Sequence, residues 1–392
     1  MAFCNVFPIF IYVIFIPFVL TVDLKTMTID EYINYINPPA VHKFQNAYEE
    51  SILCVKYEDR ISLRSGHISE DSRHSSRDNF TYRSSSIEEC PEGSVPIIEI
   101  TRERVERAGS VRQYLNKRLR VNPDSDEALN VINEFALVEM REKKNKEIHE
   151  MKAVFNLWQP SVEFGDSLSS ANLWVYHAAP NGSADEGMAA GLMVSPEYFG
   201  DSLLRFFIFR LGYDTSFCLN MDCKGFIQEG KGNFHPGVIM NHTSVYDGHQ
   251  QETTIGIKRE TRNNDTVWAV YLFNNLVGHW PTNLFKYLTF AKYVQFGGEV
   301  VVKSDVQGTP FSTTDMGSGR FPKGYYAKSA YIRNIQLFTA EGVLISKKKR
   351  KRNYYASKPN CYDIKGFVKK DDYNGDIIYY GGPGGDVPQC TY

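Results

Sequence analysis

The chain has 392 residues, 14% of them aromatic, and a formal net charge of −2. A charge balance this close to neutral predicts neither a nucleic-acid partner nor an acidic one, since both would select for an excess of positive charge. Beyond the N-terminus no apolar stretch approaches the length of a membrane span, so we expect the rest of the chain to be soluble and exported.

Residues 1–22 are predicted to form a signal peptide. They run almost without charge through an apolar core from Ile9 to Leu20, as export requires. No Lys or Arg precedes this core, and the cleavage site near Thr21 is poorly defined. A signal anchor is the alternative, but an anchor needs about 20 apolar residues, and Pro8 and Pro17 interrupt the run. Cleavage is therefore favoured.

The next segment is polar and is predicted to contain one short helix. Thr28 and Glu31 have the spacing of a capping box, and apolar residues follow at helical spacing until Pro38: Ile29, Ile33 and Ile36. Residues 59–89 are rich in Ser, Arg and Asp, with few large apolar side chains, which predicts a flexible stretch. Residues 97–152 are highly charged and lack an alternating pattern until residues 136–140, which predicts a connector into the next domain.

From about Ala153 onward the sequence has the pattern of an all-β domain. Short runs of β-branched and aromatic residues predict strands at residues 154–158, 173–176, 267–273, 300–303, 331–338 and 377–380. Turn-forming residues separate the runs, as in Asn263-Asn264-Asp265. No long amphipathic helix lies between them, so an antiparallel sandwich or barrel is favoured over a parallel α/β sheet.

Six cysteines follow the signal, an even number that an oxidising compartment favours. Neighbourhood in the sequence suggests three disulfides: Cys54 with Cys90, Cys218 with Cys223, and Cys361 with Cys390. Metal binding is the alternative at the middle pair. No second Cys or His pair lies nearby at zinc-site spacing, so a disulfide is favoured there.

Two surface features also bear on export. Four Asn-x-Ser/Thr sequons fit a glycosylated export product, although such triplets are common by chance: Asn79, Asn181, Asn241 and Asn264. A basic run extends from Lys347 to Arg352. A nuclear signal or a heparin-type patch is one interpretation of this run, but in an exported chain a solvated loop or a processing site is favoured.

Common catalytic signatures are absent. Gly317-Ser318-Gly319 lacks the residues that separate the serine from the glycines in a nucleophile elbow. His149-Glu150 resembles the start of a zincin helix, but position 153 is Ala rather than the second His. No phosphate-binding glycine loop ends in Lys-Ser or Lys-Thr.

Several short segments stand in a fixed order along the chain instead. They are Phe155 to Pro160, Asn172 to Val175, Ala190 to Pro196, Gly200-Asp201, Arg205 to Ile208, Cys218 to Phe226, Gly278-His279-Trp280-Pro281, Gly297-Gly298-Glu299, Met316 to Pro322, Asn360 to Tyr362 and Tyr380 to Pro383. Cys54 and the segment from Glu89 to Pro96 precede them. Together these segments resemble the neprosin family of plant secreted proteins. Cys54 and the segment from Glu89 to Pro96 resemble the activation peptide of that family.

The resemblance implies a propeptide at residues 23–130 and a β-sandwich of two antiparallel sheets at residues 131–392. In active members two glutamates facing each other across the cleft act as a peptidase pair that cuts preferentially after proline, best in acid. Two carboxylates held close share a proton, so that one activates water while the other protonates the leaving group. Glu299 matches the second glutamate, and its flanking glycines permit close approach of backbone or ligand.

The resemblance also implies where the protein acts and on what. We expect a secreted protein of the cell wall, the extracellular space or the vacuole, with a proline-containing peptide or protein as substrate or ligand. The pro-segment should cover the cleft before its removal. We expect a monomer with no nucleic-acid partner, no membrane contact after signal cleavage, and no cofactor or metal.

The position of the first glutamate is Ala189 in this chain, and a methyl group cannot transfer a proton. Glu186 should face the opposite side of the strand, and Asp185 lies about 13 Å away along it, unless a bulge shifts the register. The family's tryptophan is replaced by Leu192, and an expected aromatic residue by Arg210. Both changes lie on strands that should line the cleft.

Three interpretations of function stay open. The favoured one is a catalytically impaired neprosin-type peptidase, in which Glu299 either retains a catalytic role or is a solvated acid without one. The second is an active acid prolyl endopeptidase in which Glu299 works with water or with an unrecognised second acid. The third is an extracellular module that binds a peptide or a glycan.

Overall fold

A computed structural model describes residues 24–58, 88–116, 130–144, 146–163, 168–178, 185–212, 217–304, 312–368, 375–386 and 390. The predicted signal peptide, most of the predicted flexible stretch, and the sequons at Asn79 and Asn181 lie outside these residues. Among the helices in the described ranges, none is long and apolar enough to cross a membrane.

Residues 24–58 and 88–116 form a small folded unit, called here the N-terminal unit. Its elements are a 3-10 turn at Leu24–Thr26, α1 at Ile29–Ile36, β1 at His42–Gln45, β2 at Ser51–Lys56, β3 at Ser94–Ile98, α2 at Arg102–Glu106 and α3 at Val111–Asn116. The capping box at the start of α1 is confirmed, because the Thr28 and Glu31 side chains each accept from the other residue's backbone N–H. The three strands form one antiparallel sheet in the order β1-β2-β3.

The rest of the described chain forms a sandwich of two antiparallel sheets, which confirms the predicted fold class. The front sheet has the order β16-β4-β14-β6-β7-β8-β9, and the back sheet has the order β10-β13-β12-β11-β5-β15-β18-β17. The front strands are β4 Asn130–Glu142, β6 Leu168–Ala178, β7 Asp185–Val194, β8 Arg205–Leu211, β9 Phe217–Leu219, β14 Tyr293–Ser304 and β16 Arg350–Ala356. The back strands are β5 Glu150–Asn156, β10 Ile227–Gln228, β11 Glu252–Arg262, β12 Asp265–Leu272, β13 Asn275–Pro281, β15 Ala330–Phe338, β17 Asp363–Val368 and β18 Asp376–Gly381.

The predicted strands all fall inside or against observed strands, but the predicted connector is wrong. Residues 97–152 contain α2, α3, all of β4 and the start of β5. On β4 the residues Ala136, Val138 and Met140 are buried, whereas Leu137, Glu139 and Arg141 are partly exposed, and this alternation is typical of a strand with one buried face. The remaining short helices are α4 at Pro196–Phe199 and 3-10 turns at Thr282–Leu284, Pro322–Gly324, Lys347–Lys349 and Gly384–Asp386.

The main core lies between the two sheets. On β14 the side chains of Val294, Phe296 and Val300 point into it, and the largest buried rings are those of Trp268 and Trp280. Because side chains alternate along a strand, the residues between them form the opposite face of the front sheet. This outer surface is called the front face below, and its counterpart on the back sheet is called the back face.

The three suggested disulfides are present. Cys54 pairs with Cys90 inside the N-terminal unit, and the other bonds join Cys218 to Cys223 and Cys361 to Cys390. The predicted turn at Asn263 and Asn264 is also confirmed, since both residues have positive φ values, 48° and 65°, between β11 and β12. Asn264 is exposed at this turn, whereas Asn241 is partly buried.

The basic run is not a solvated loop, which corrects the expectation from the sequence. Its first three lysines form a 3-10 turn, and the rest begins the edge strand β16. The Arg350 guanidinium is buried and lies 2.8 Å from an Asp376 oxygen, and Arg352 binds the same carboxylate at 2.7 Å. Two of the basic residues therefore hold the edge strand to the opposite sheet rather than face solvent.

Candidate active-site cleft

Glu299 lies on β14 and points to the front face. It is 5% exposed and stands between Ser170 of β6 and Phe135 of β4 in the sheet register. Its side chain is thus largely removed from water, which excludes the solvated acid that the sequence left open. A buried carboxylate needs hydrogen-bond donors to remain stable, so its partners define the local chemistry.

Asn172 on β6 supplies one of these donors, and sequence reasoning did not single it out as a site residue. Its Nδ2 atom donates to Glu299 Oε2 at 3.1 Å, and Asn172 itself is 3% exposed. The Asn172 Oδ1 atom has no hydrogen-bond partner among the described residues. A buried amide oxygen of this kind can accept a hydrogen bond from a bound molecule or from water.

The glycines before Glu299 serve packing within the protein. A Cβ atom at Gly298 would come within 2.6 Å of Met316 and 2.7 Å of Tyr380, which reach across from the back sheet side. A Cβ atom at Gly297 would come within 2.2 Å of the Ala136 carbonyl oxygen. These positions thus permit close approach of β14 to the neighbouring strand β4 and to side chains from the back sheet side.

Ala189 lies on the same face, but in another row of the sheet. It stands between Trp174 of β6 and Phe209 of β8, and it is fully buried. The rings of these two neighbours have their centroids 5.1 Å apart, with an interplanar angle of 72°. Because the strands that carry them lie on either side of β7, the two rings meet over the Ala189 methyl group.

The register separates Ala189 from Glu299. Glu299 is aligned with Ser170 and, through it, with Met193, whereas Ala189 is aligned with Trp174 and Gln295. The two positions are four residues apart along the strands and two strands apart across the sheet, or roughly 16 Å between Cα atoms. A glutamate at position 189 would therefore leave room for water between the two carboxylates rather than contact Glu299 directly.

No other acid on β7 replaces the missing one in the described structure. The register between β6 and β7 runs without a bulge from Ser169 to Ala178. Glu186 faces the core side, as predicted, and its carboxylate accepts from the backbone N–H groups of Lys286, Tyr287 and Leu288 at 2.6 to 2.8 Å. Asp185 begins the strand, but its side chain lies outside the described residues.

Two expected cleft substitutions do not reach the front face. Leu192 is 2% exposed and belongs to the core between the sheets. Arg210 is aligned with Met188, which also belongs to that core, so its side chain starts on the same side. The strands were placed correctly, but alternation turns both side chains away from Glu299.

The N-terminal unit packs on the part of the front face that contains Ala189. One apolar cluster joins Ala189, Met193 and Phe207 to residues of the N-terminal unit: Tyr32, Ile36, Ile100, Val105, Ala108, Val111 and Tyr114. Asp222 anchors this contact, since its backbone carbonyl accepts from the Tyr32 hydroxyl and its carboxylate accepts from the Tyr114 hydroxyl. The N-terminal unit thus covers the front face on the β6, β7 and β8 side.

A buried ion cluster also joins the two units. Arg205 of β8 is 1% exposed and lies 2.5 Å from a Glu50 oxygen of the N-terminal unit and 2.6 Å from Asp201. His235 is buried in the same place, and burial lowers the pKa of its imidazole. The adjacent Pro236 carbonyl and the Glu50 charge raise that pKa, and the Arg205 charge lowers it, with a net decrease.

The other side of the front face is less covered. No described residue of β4 or β16 belongs to the apolar cluster under the N-terminal unit. Phe135 and Leu137 of β4 are partly exposed, and Tyr355 of β16, aligned with Leu137, is 54% exposed. Glu139 shares this region and accepts from the Tyr176 hydroxyl. Glu299 and Asn172 therefore lie at the border between a covered half and a more exposed, partly apolar half.

These features define an all-β sandwich with a buried carboxylate on one outer face, and comparison with known proteins gives the family. The family model described as Neprosin matches residues 165–383, more than half of the chain. The chain belongs to the neprosin family. This assignment confirms the resemblance that the sequence segments indicate.

One solved structure similar to the chain is a crystal structure of scytalido-glutamic peptidase with a transition state analog inhibitor. The two chains are 10% identical with a TM-score of 0.34, and the match covers 64% of this chain and 98% of the peptidase chain. SCP-B, a member of the Eqolisin family of peptidases, in a complex with the tripeptide Ala-Ile-His, matches at 9% identity with the same coverage and TM-score. The Ruminococcus gnavus IT-sialidase CBM40 bound to alpha2,6 sialyllactose matches at 12% identity and a TM-score of 0.21, covering 45% of this chain and 94% of that one. Likenesses at TM-scores this low carry no weight for the function.

Proposed function

We propose that this chain is a secreted, catalytically impaired neprosin-type peptidase that holds a proline-containing peptide on the front face. The observation that carries the proposal is the buried Ala189 methyl group under the Trp174 and Phe209 rings. Loss of one partner from an acid and base pair typically lowers the rate by about 10²- to 10⁴-fold. Glu299 alone lacks the second proton-transferring group that the family reaction uses.

The peptide-binding part of the proposal rests on the exposed half of the face. Phe135, Leu137 and Tyr355 present apolar surface beside Glu299, which suits the ring of a proline. The Asn172 Oδ1 atom, which has no hydrogen-bond partner among the described residues, can accept a hydrogen bond from a backbone N–H of an extended peptide at the border of this surface. A binding groove commonly combines such apolar surface with a few fixed polar groups.

Residual hydrolysis by Glu299 and Asn172 is the second candidate function. The hydrogen bond between them places a carboxylate beside an amide whose oxygen has no described partner. In this candidate Glu299 activates water as a general base, and the Asn172 amide holds its carboxylate in position. Because an amide is not a proton donor of acid strength, the rate should remain far below that of a two-carboxylate site.

A peptidase assay separates these functions. The secreted full chain, before and after acid treatment, is incubated at acid pH with a fluorogenic proline-containing peptide, and peptide binding is measured in parallel by fluorescence anisotropy. Glu299→Gln removes the candidate base, and Glu139→Gln is the matched control because Glu139, on β4, is another acid whose side chain lies on the front face. Ala189→Glu tests whether the missing carboxylate restores cleavage.

We expect saturable binding by the wild type with cleavage no faster than that of Glu299→Gln. Cleavage by wild type and Glu139→Gln, but not by Glu299→Gln, would establish the second candidate and contradict the first. If the acid-treated protein neither binds nor cleaves the peptide, both candidates fail. Cleavage by Ala189→Glu alone would show that the scaffold retains the rest of the machinery.

Secretion and processing belong to the same proposal. The disulfides in both units fit an oxidising compartment, and exposed Asn264 is accessible for glycosylation. We propose cleavage of the signal near residue 22, removal of the N-terminal unit to expose the covered half of the front face, and a monomeric product. Mass spectrometry of the secreted protein tests this, because an N-terminus near Asp23 that persists after acid treatment would contradict processing.

A further inference from the structure

The back face carries a group of exposed tyrosines far from Glu299. Tyr246, Tyr325 and Tyr326 are 51%, 43% and 61% exposed. Tyr326 stacks on buried Tyr331, with ring centroids 5.7 Å apart. Tyr331 alternates on β15 with residues of the core, so it and its stacked partner lie on the back face. These three exposed rings are called the tyrosine platform below.

The platform is held in place by contacts rather than left loose. Tyr325 packs edge-on against Tyr379 of β18, with centroids 5.6 Å apart. The turn that carries Tyr246 is joined to the turn that carries the other two tyrosines, because the Asp247 backbone N–H donates to the Ala327 carbonyl at 2.9 Å. Rigid aromatic rings lose little conformational entropy when they bind a partner.

The backbone at Tyr325 is strained. Its φ of 56° and ψ of −150° fall in a region that essentially only glycine occupies without cost. A chain that keeps tyrosine at such a position holds a bulky exposed ring where glycine would be more stable. Strain of this kind is concentrated at functional sites.

Each end of the platform has its own cation. The Arg320 guanidinium lies 5.2 Å from the centre of the Tyr246 ring, and Lys365 Nζ lies 5.6 Å from the centre of the Tyr325 ring and 3.2 Å from its hydroxyl. Lys328 lies between the turns and pairs with Asp247 at 3.6 Å. The surface therefore repeats one motif, a ring beside a positive charge.

From this repeat we propose that the tyrosine platform is a second binding site, for an acidic polysaccharide made of uronate units. Each unit of such a polymer has an apolar face of C–H groups, which pack on the negative face of an aromatic ring. Each unit also carries a carboxylate, which the neighbouring Arg or Lys attracts. Ring and charge thus recur along the ligand as they recur along the surface.

An acidic peptide matches this surface less well. Its carboxylates are borne on flexible side chains that must be ordered on binding, and its backbone offers no repeated apolar face to the rings. A neutral polysaccharide would pack on the rings but would gain nothing from Arg320 and Lys365. The two alternatives therefore differ from the proposal in measurable ways.

Calorimetric titration of the full-length secreted protein with oligogalacturonate at pH 6 tests the proposal, with neutral galactan oligosaccharide and poly-glutamate as comparison ligands. We expect binding to oligogalacturonate that weakens as NaCl is raised, since exposed charges are screened. A Tyr325→Gly, Tyr326→Ala double variant should bind about tenfold more weakly, because aromatic anchors dominate binding surfaces. Arg320→Gln should bind more weakly and lose part of the salt dependence.

Tyr355→Ala is the matched control, since it removes an equally exposed tyrosine from the front face and should leave this binding unchanged. Tyr325→Gly relieves the backbone strain, but the double variant also loses the rings that pack on Tyr379 and Tyr331, so urea unfolding must show the double variant folded before its binding is compared. The proposal is overturned if oligogalacturonate does not bind, if galactan or poly-glutamate binds equally well, or if the double variant binds like the wild type. It does not depend on the front face, so it can fail or hold independently of the proposed function.

Discussion

Replacing Asn172 by Asp would test the hydrogen bond at the front face through stability, without need of any activity. The Asn172 Nδ2 atom donates to Glu299 Oε2 at 3.1 Å, and both residues are nearly fully buried. Asn172→Asp exchanges that donor for a carboxylate of almost the same shape. Two buried acids would then stand in contact, a pair that cannot ionise fully at neutral pH.

The expected cost can be estimated in two ways that agree. Two like charges about 4 Å apart repel by about 4 kcal/mol at an effective dielectric constant near 20. If one acid instead stays protonated at pH 7, the cost is roughly 1.4 kcal/mol for each pH unit above its ordinary pKa near 4, again about 4 kcal/mol. Because the pKa of the pair is raised in the folded state, the penalty is absent below about pH 4 and grows as pH rises toward 7.

Urea unfolding of wild type and Asn172→Asp at pH 4 and at pH 7.5 measures this penalty. We expect a difference in unfolding free energy of about 4 kcal/mol at the higher pH and little at the lower. The double variant Asn172→Asp, Glu299→Gln exchanges the amide and the carboxylate, so it should recover most of the loss. Equal stability of wild type and Asn172→Asp at pH 7.5, or a loss that is the same at both pH values, would refute the reasoning.

Three further predictions concern the contact between the two units. His235→Gln should lessen the loss of stability in acid, because burial lowers the pKa of His235 in the folded state. The contribution of His235 to stability is present above the unfolded pKa near 6.5 and is lost as pH falls below that value. A urea unfolding series from pH 7.5 to 5 that is the same in the variant and the wild type would contradict this. Arg205→Leu should cost about 1.5 to 3 kcal/mol by leaving the partly buried carboxylates of Glu50 and Asp201 without their charged partner. Glu50→Gln should cost less and mainly speed limited proteolysis of the N-terminal unit; equal effects would argue against a shared ion cluster. Removing the disulfide between Cys54 and Cys90, which spans 36 residues, should lower the free energy of unfolding by about 3 to 4 kcal/mol. The loss is measured as a shift of the urea midpoint. No shift would show that this bond does not constrain the unfolded chain.

Several features could be predicted from the sequence because local interactions decide them. The capping box needs only residues three positions apart, and it starts α1 where expected. Runs of β-branched and aromatic residues, separated by turn-forming residues, located six strands of the sandwich. The cysteine pairs joined neighbours in the sequence, as suggested. The connector was predicted wrongly because residues 97–152 are highly charged as a whole, although the alternation at residues 136–140 belongs to β4.

What the sequence by itself determined was where six of the strands lie, which cysteines pair, which family the segments resemble, and that position 189 carries no acid. Only the tertiary structure decided how those strands align. The register aligns Ala189 with Trp174 and Gln295 rather than with Glu299, turns Leu192 into the core and brings Asn172 to Glu299. The contact between Asn172 and Glu299 depends on pairing between strands 127 residues apart in the chain, and no local preference encodes that alignment.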